Sequence, residues 1–253
     1  MAWTETTSLS FTARHEAAQS DAAMSVLEAL ESFRSRLEGL FPLLPEDVTV
    51  VLHDSPLQLA LAQPYLPIAR RISAPAGRRY MTGWFSTREV HTFSPDALRK
   101  LAAGPDSLKA LLLAPQRAYM LLVVGCNSSL LPPPFRPSTF IRYLRLAWIP
   151  EGAAQYFSGQ LQHLRPALAR RLRGRPPSLP PSGRDAALVG GSIFDLLAKE
   201  RGAEACVRLA CLEQPVQGEE LLESVFGQSL AQLEGRWRSH LADLATPRSP
   251  TTS

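Results

Sequence analysis

One carboxylate stands out by its setting. In AWIPEGAAQYFSGQ (147–160), Pro150 occupies a first helical turn, where its missing N–H costs nothing. Glu151 follows directly, at the positive end of the helix dipole. Gly152, Ala153 and Ala154 permit close helix packing, and Tyr156 and Phe157 supply apolar bulk. A carboxylate so placed can ligate a metal, become protonated or accept from a buried donor. Few other groups could work with it. His15, His53, His91, His163 and His240 show no ligand-like spacing, and no Gly-rich phosphate loop, nucleophile elbow or Cys-His signature is present. Cys126, Cys206 and Cys211 form no CxxC pair and leave one thiol over under any disulfide scheme. That fits buried free thiols in a reducing compartment.

The stretch around Glu151 resembles the second motif of gluzincin metallopeptidases, the peptidase MA-like group, written W-x-x-E-G-x-A-x-Y. In that family the Glu is the third zinc ligand. HExxH on a preceding helix supplies two His ligands and a Glu general base. The matching place here, 115–119, reads PQRAY, and HExxH occurs nowhere in the sequence. The resemblance therefore implies a degenerate gluzincin, a pseudoenzyme that has lost its metal. Pro115 stands for the first His and cannot coordinate. Tyr119 stands for the second, and a phenol with a pKa of about 10 is a poor zinc ligand. Gln116 replaces the general base with an amide that can hold a water but cannot take its proton at neutral pH. Glu151 is the only ligand-type residue retained, and one carboxylate does not hold zinc against solvent.

The degenerate site thus comprises Pro115, Gln116, Tyr119 and Glu151, with no metal and no cofactor expected. Without zinc, Glu151 needs a donor or a proton. The expected donor is the Tyr119 hydroxyl, with Gln116 second, and Arg117 is expected to point away. Two functions stay open. One is a catalytically inactive gluzincin-like protein whose cleft takes a peptide or protein, or is merely structural. The other is a hydrolase or peptidase with altered chemistry built on Glu151, Tyr119 and Gln116.

The elements that must position these residues read as follows. Residues 8–15 alternate apolar and polar and form a first strand. Ser20 caps a helix over 21–40, whose Val26, Leu30, Phe33, Leu37 and Leu40 recur at steps of three and four. VTVVL (48–52) is a buried strand, and 56–76 is a short helix followed by a loop. Residues 80–85 and 89–93 make a hairpin, which by the resemblance borders the cleft; His91 within it reads as structural. A short helix covers 95–103. The helix over 108–124, apolar nearly all round, belongs in the centre of a domain. Pro115 either bends it, at about 3 kcal/mol, or restarts it.

Residues 127–139 form a Pro-rich connector and 140–148 a short helix. Residues 162–184 hold six Arg and no acid, and RGRPPSLPPSGR cannot be regular structure. This segment is either a solvated loop or a patch for an anionic partner, and no nucleic-acid binding is expected at physiological salt. After Gly190-Gly191, Ser192 with Asp195 starts a helix through Arg201. Helices over 203–212, 219–225 and 229–244 follow, the last opened by a Ser229…Gln232 capping box. Trp237 packs this tail on the core, and the run resembles the helical tail of peptidase MA-like proteins. Residues 247–253 are expected to be a disordered end.

The expected fold is α+β and zincin-like. A mixed α/β lobe (1–126) with a small sheet carries the degenerate first-motif helix, and a mainly helical lobe (140–246) carries Glu151. Both belong to a single peptidase MA-like domain, 1–246. A length of 253 residues, 45% hydrophobic and 20% charged, is ample for such a core. No apolar run approaches the roughly 20 residues that cross a bilayer, and the first ten residues lack a basic and an apolar leader region. The expected compartment is the cytoplasm, with no membrane partner. Net charge is +4, with 24 Arg against 3 Lys, a bias that says little about partners.

Overall fold

β-Branched and apolar residues set the middle of the sheet, and polar residues set its edge. The computed structural model describes residues 3–213 and 217–246. Among these, five strands form one mixed sheet: β1 (Trp3–Thr7), β2 (Phe11–Glu16), β3 (Val48–His53), β4 (Gly83–Phe85) and β5 (Glu89–Phe93), in the order β1-β2-β3-β5-β4. β2, β3 and β5 run parallel, and β1 and β4 pair antiparallel on the two edges. In β3, Val48, Val50, Val51, Leu52 and His53 are all buried, as a central strand requires. The expected first strand, 8–15, forms as β2 with its start moved to Phe11, and it pairs in a hairpin with an arm that was not expected, β1, which is almost wholly exposed. The hairpin expected over 80–93 forms with the shorter strand β4.

The crossover from β2 to its parallel neighbour β3 runs through α1 (Ser20–Leu37). Its buried face is Ala23, Val26, Leu27, Leu30, Phe33 and Leu37, as the periodicity requires. Ser20 does not cap it: Gln19 is the N-cap, and the Ser20 hydroxyl donates to the Ala17 carbonyl at 3.0 Å. The helix stops at Leu37, short of Leu40, because Glu38 leaves the helical region and Gly39 takes a φ of 77°. Residues 56–76 hold more helix than expected: α2 (Pro56–Ala62), α3 (Tyr65–Ile72) and α4 (Pro75–Arg78), the first two stopped ahead of Pro64 and Pro75.

After β5 come α5 (Pro95–Leu101), α6 (Pro105–Leu112) and α7 (Ala114–Cys126). The apolar stretch over 108–124 is therefore two helices, bent by 43° at Leu113. Of the two outcomes open at Pro115, a restart is the one adopted. Its missing N–H falls in the first turn of α7, and the first i→i−4 bond beyond it, Arg117 N–H to Leu113 O, is intact at 2.9 Å. Every residue from Ala114 to Gly125 is buried, with α7 packed on β4, β5, α1 and the helix that carries Glu151.

That helix is α9 (Trp148–Phe157), reached through α8 (Pro137–Arg145). It is followed by α10 (Arg165–Leu172), an irregular 173–185 segment, and α11 (Ala186–Arg201). Gly190 and Gly191 do not precede α11 but lie inside it. Their role is contact with α9: a Cβ on Gly152 would sit 2.7 Å from the Gly190 carbonyl oxygen, and one on Gly190 would sit 3.0 Å from the Gly152 nitrogen. The two backbones touch, and only glycine permits it.

The tail is α12 (Ala203–Ala210), α13 (Gly218–Phe226) and α14 (Leu230–Ala245). Trp237 is buried and its indole N–H donates to the Ser192 hydroxyl at 2.8 Å, which locks α14 to α11. The Ser229 side chain makes no cap; Glu223 accepts from the Leu230 N–H at 2.7 Å instead. The expected disordered end, 247–253, lies outside the described residues. One hydrophobic core runs from Phe11 to Ala245. Among the described residues no single helix is long and apolar enough to cross a membrane; α6 and α7 are so only when taken together across their bend.

Candidate functional site

Glu151 sits in the first turn of α9, where its N–H makes the first intrahelical bond, to Ala147 O at 3.0 Å. Pro150 lies just before it and leaves no donor unsatisfied. The residue is 1% exposed. One carboxylate oxygen, Oε1, accepts from the Tyr143 hydroxyl of α8 at 2.6 Å. The other, Oε2, accepts from the Arg117 guanidinium of α7 in a fully buried ion pair. Burial first, and then the adjacent Glu151 charge, raise the Tyr143 hydroxyl well above its usual range, so it remains a donor. Nε and Nη1 of Arg117 have no partner among the described residues.

This arrangement corrects the expected one. Tyr119 does not reach Glu151: its hydroxyl donates to the Pro45 carbonyl at 2.9 Å, and its ring packs edge-on against Phe11 and Phe33. Arg117, expected to point away, is the residue that meets the carboxylate. Helix geometry explains both facts at once. Residues two apart lie about 200° apart around the axis, so a helix that turns Tyr119 toward β2 and α1 turns Arg117 toward α9. Pro115, four residues before Tyr119, shares the Tyr119 face and carries no polar side-chain atom. Gln116 is buried with its Oε1 unpartnered. The combination of Glu151, Tyr119 and Gln116 on which an altered hydrolase would depend is therefore not assembled.

Zinc does not fit this centre. A guanidinium already occupies one face of the carboxylate, and a phenol holds the other oxygen. Among the described residues no three His, Cys, Asp or Glu converge. Nor is there space for a substrate at Glu151. The adjoining cavity, bounded by Tyr143, Ser73 and Met81, measures about 10 Å³. That is about the least that admits one water.

A second polar pair was not read from the sequence. His53 closes β3 and His91 lies on β5; they occupy diagonal positions on neighbouring strands, since His53 pairs with Phe93 and Val51 with His91. Their rings stack at 5.3 Å, with His53 Nε2 3.0 Å from His91 Nδ1, and His91 Nε2 stands 3.1 Å from Glu89. Burial, and then the second imidazole, pull His53 down to about 4; burial also lowers His91 against the pull of Glu89. Both rings are neutral near pH 7. The signal that links them is a two-residue offset between two parallel strands, which becomes readable only once the sheet order is known.

Tyr143 was missed for another reason. It lies in α8, outside the stretch that carries the resemblance, and its only mark is a phenol amid the apolar residues of FIRYLR. A buried hydroxyl needs a partner, and the nearest acid in the sequence is Glu151. No family model, no curated protein and no solved structure matches the chain.

Proposed function

We propose that the chain is a catalytically inactive, gluzincin-like (peptidase MA-like) protein of zincin-like fold, in which Arg117, Glu151 and Tyr143 form a structural centre at the family's metal position. One observation carries the reading: both oxygens of Glu151 accept from buried donors, and the space beside them holds no more than about one water. Peptide hydrolysis needs a polarised carbonyl and an activated water next to each other. A paired guanidinium and a high-pKa phenol facing a void of about 10 Å³ supply neither. The centre ties α7, α8 and α9 together, joining the sheet side of the molecule to its helical side. The W-x-x-E-G-x-A-x-Y likeness and the packing of the Glu151 helix on α7 support the family assignment.

A peptide or protein partner, in this reading, binds away from Glu151. A reducing, cytoplasmic setting is supported by three free thiols, which burial raises, Cys206 to about 12 and Cys211 to about 11.

The test combines elemental analysis with turnover of a fluorogenic peptide library, before and after zinc addition. The expected result is no stoichiometric zinc and no turnover above that of Glu151→Gln. About one zinc per chain, with turnover that Glu151→Gln abolishes, would overturn the proposal.

A further inference from the structure

Two depressions meet over α4, and neither has Arg117, Tyr143 or Glu151 in its lining. The larger, about 860 Å³, lies between Pro75–Ala76 and the irregular segment after α10. The smaller, about 300 Å³, lies between α4 and the start of α6. Arg170 lines both, so the two are neighbouring compartments of one surface site.

The acids of the larger compartment are already engaged. Asp185 accepts from Nε and Nη2 of Arg171 at 2.6 and 2.7 Å, and Glu234 accepts from Arg238 at 2.6 Å. Arg171 also donates from Nη1 to the Arg175 carbonyl at 2.6 Å. One side chain thus braces the irregular segment at two points and holds the wall in place without regular structure. Arg170, Arg175 and Arg184 remain around this compartment with no carboxylate within ion-pair distance among the described residues.

The smaller compartment has a different kind of wall. Its floor is the first turn of α6, an eight-residue helix with Pro105 at its start, where the N–H groups of Asp106 and Ser107 have no intrahelical acceptor. Ser107 is 7% exposed and its hydroxyl has no partner. Arg79 and Arg170 stand over it. Asp106 lines it too, but against two guanidinia the balance is positive. Free helical N–H groups, an unpaired buried hydroxyl and flanking guanidinia are the donors that phosphate oxygens require.

We propose that this double compartment binds a small polyphosphorylated ligand. One phosphate sits on the α6 N-terminus between Ser107, Arg79 and Arg170, and the next ones lie along Arg170 toward Arg175 and Arg184. The volumes fall in the range of small-molecule sites. The larger compartment has no aromatic side chain in its lining, so it offers no stacking platform for a nucleic-acid strand.

The experiment is calorimetric titration of the full chain with inorganic tripolyphosphate at about 0.15 M salt. Saturable binding at one site is expected. Arg170→Ala should weaken it by about tenfold or more, since that guanidinium serves both compartments. Ser107→Ala should weaken it by about threefold while leaving the charge unchanged, and Arg14→Ala, on β2, should have no effect. Vesicles carrying a phosphoinositide form a second arm: retention that tripolyphosphate competes away assigns the phosphates to a lipid headgroup, and lack of retention assigns them to a soluble ligand. No binding at millimolar tripolyphosphate would overturn the proposal. So would loss in Arg14→Ala equal to that in Arg170→Ala with Ser107→Ala silent, or tighter binding of a short single-stranded oligonucleotide.

Discussion

Arg117 and Arg170 carry the same guanidinium and live under opposite rules. Arg117 is 1% exposed and rests on a carboxylate that has a second donor of its own. Arg170 lies on the surface, lines two compartments and makes no ion pair among the described residues. A cation taken out of water must bring its counter-charge with it, whereas one left in water can stay unmatched at little cost. The first arrangement builds a fold and closes a site. The second keeps charge available to a ligand.

The comparison breaks most visibly at Glu151. Glu151→Gln strands the Arg117 charge in the core and should cost about 3–5 kcal/mol in urea unfolding. Arg175→Ala, in the open compartment, should change stability by no more than about 0.5 kcal/mol. The double variant Arg117→Met/Glu151→Gln should recover part of the loss, because no buried charge is left. If the double equals the sum of the two singles, the pair does not act as a unit and the contrast fails.

A smaller effect separates the two tyrosines. Tyr143→Phe removes a donor to a buried carboxylate and should cost about 1–3 kcal/mol, against about 0.5–1.5 kcal/mol for Tyr119→Phe, whose hydroxyl serves a neutral carbonyl. The reverse order would mean that Tyr119, not Tyr143, supports Glu151.

The same rule extends to the imidazoles, where pH reads it. With His53 lowered to about 4 in the fold and near 6.5 unfolded, the unfolded chain binds more protons between those values. Stability should therefore be flat above about pH 6.5 and decline as pH falls toward 4. Urea midpoints measured across that window check this, and His53→Gln should flatten the decline. A midpoint that rises on acidification would show that the pair gains from a proton.

Much of the frame was legible because it rests on local patterns. VTVVL could only be a buried strand, α1 shows its face through spacing, and the proline before Glu151 marks a helix start. The hairpin arm β1 was not legible, since WTETT has no apolar alternation to betray it. The Gly190-Gly191 pair read as a break because isolated helices avoid glycine, and the contact that rewards it comes from another helix. The rotation of α7 was the costliest gap. A helix buried on all sides has no polar face to mark its orientation, so nothing in PQRAY tells whether residue 117 or 119 looks toward Glu151. Rotational setting is decided by packing against β2, α1 and α9 together, and the site inherits that decision.

The contact of Gly152 with Gly190 has a consequence for motion. Where side chains separate two helices, each can roll a little as rotamers adjust. Where main chain meets main chain there is nothing to adjust: α9 cannot turn about its axis without its backbone running into that of α11. Glu151, one residue before that contact, has therefore lost the rotational freedom that could swing it outward. Rolling α9 to turn it out requires lifting α11 away, and α14 with it through Trp237, which makes exposure by that route a matter of partial unfolding and not of breathing.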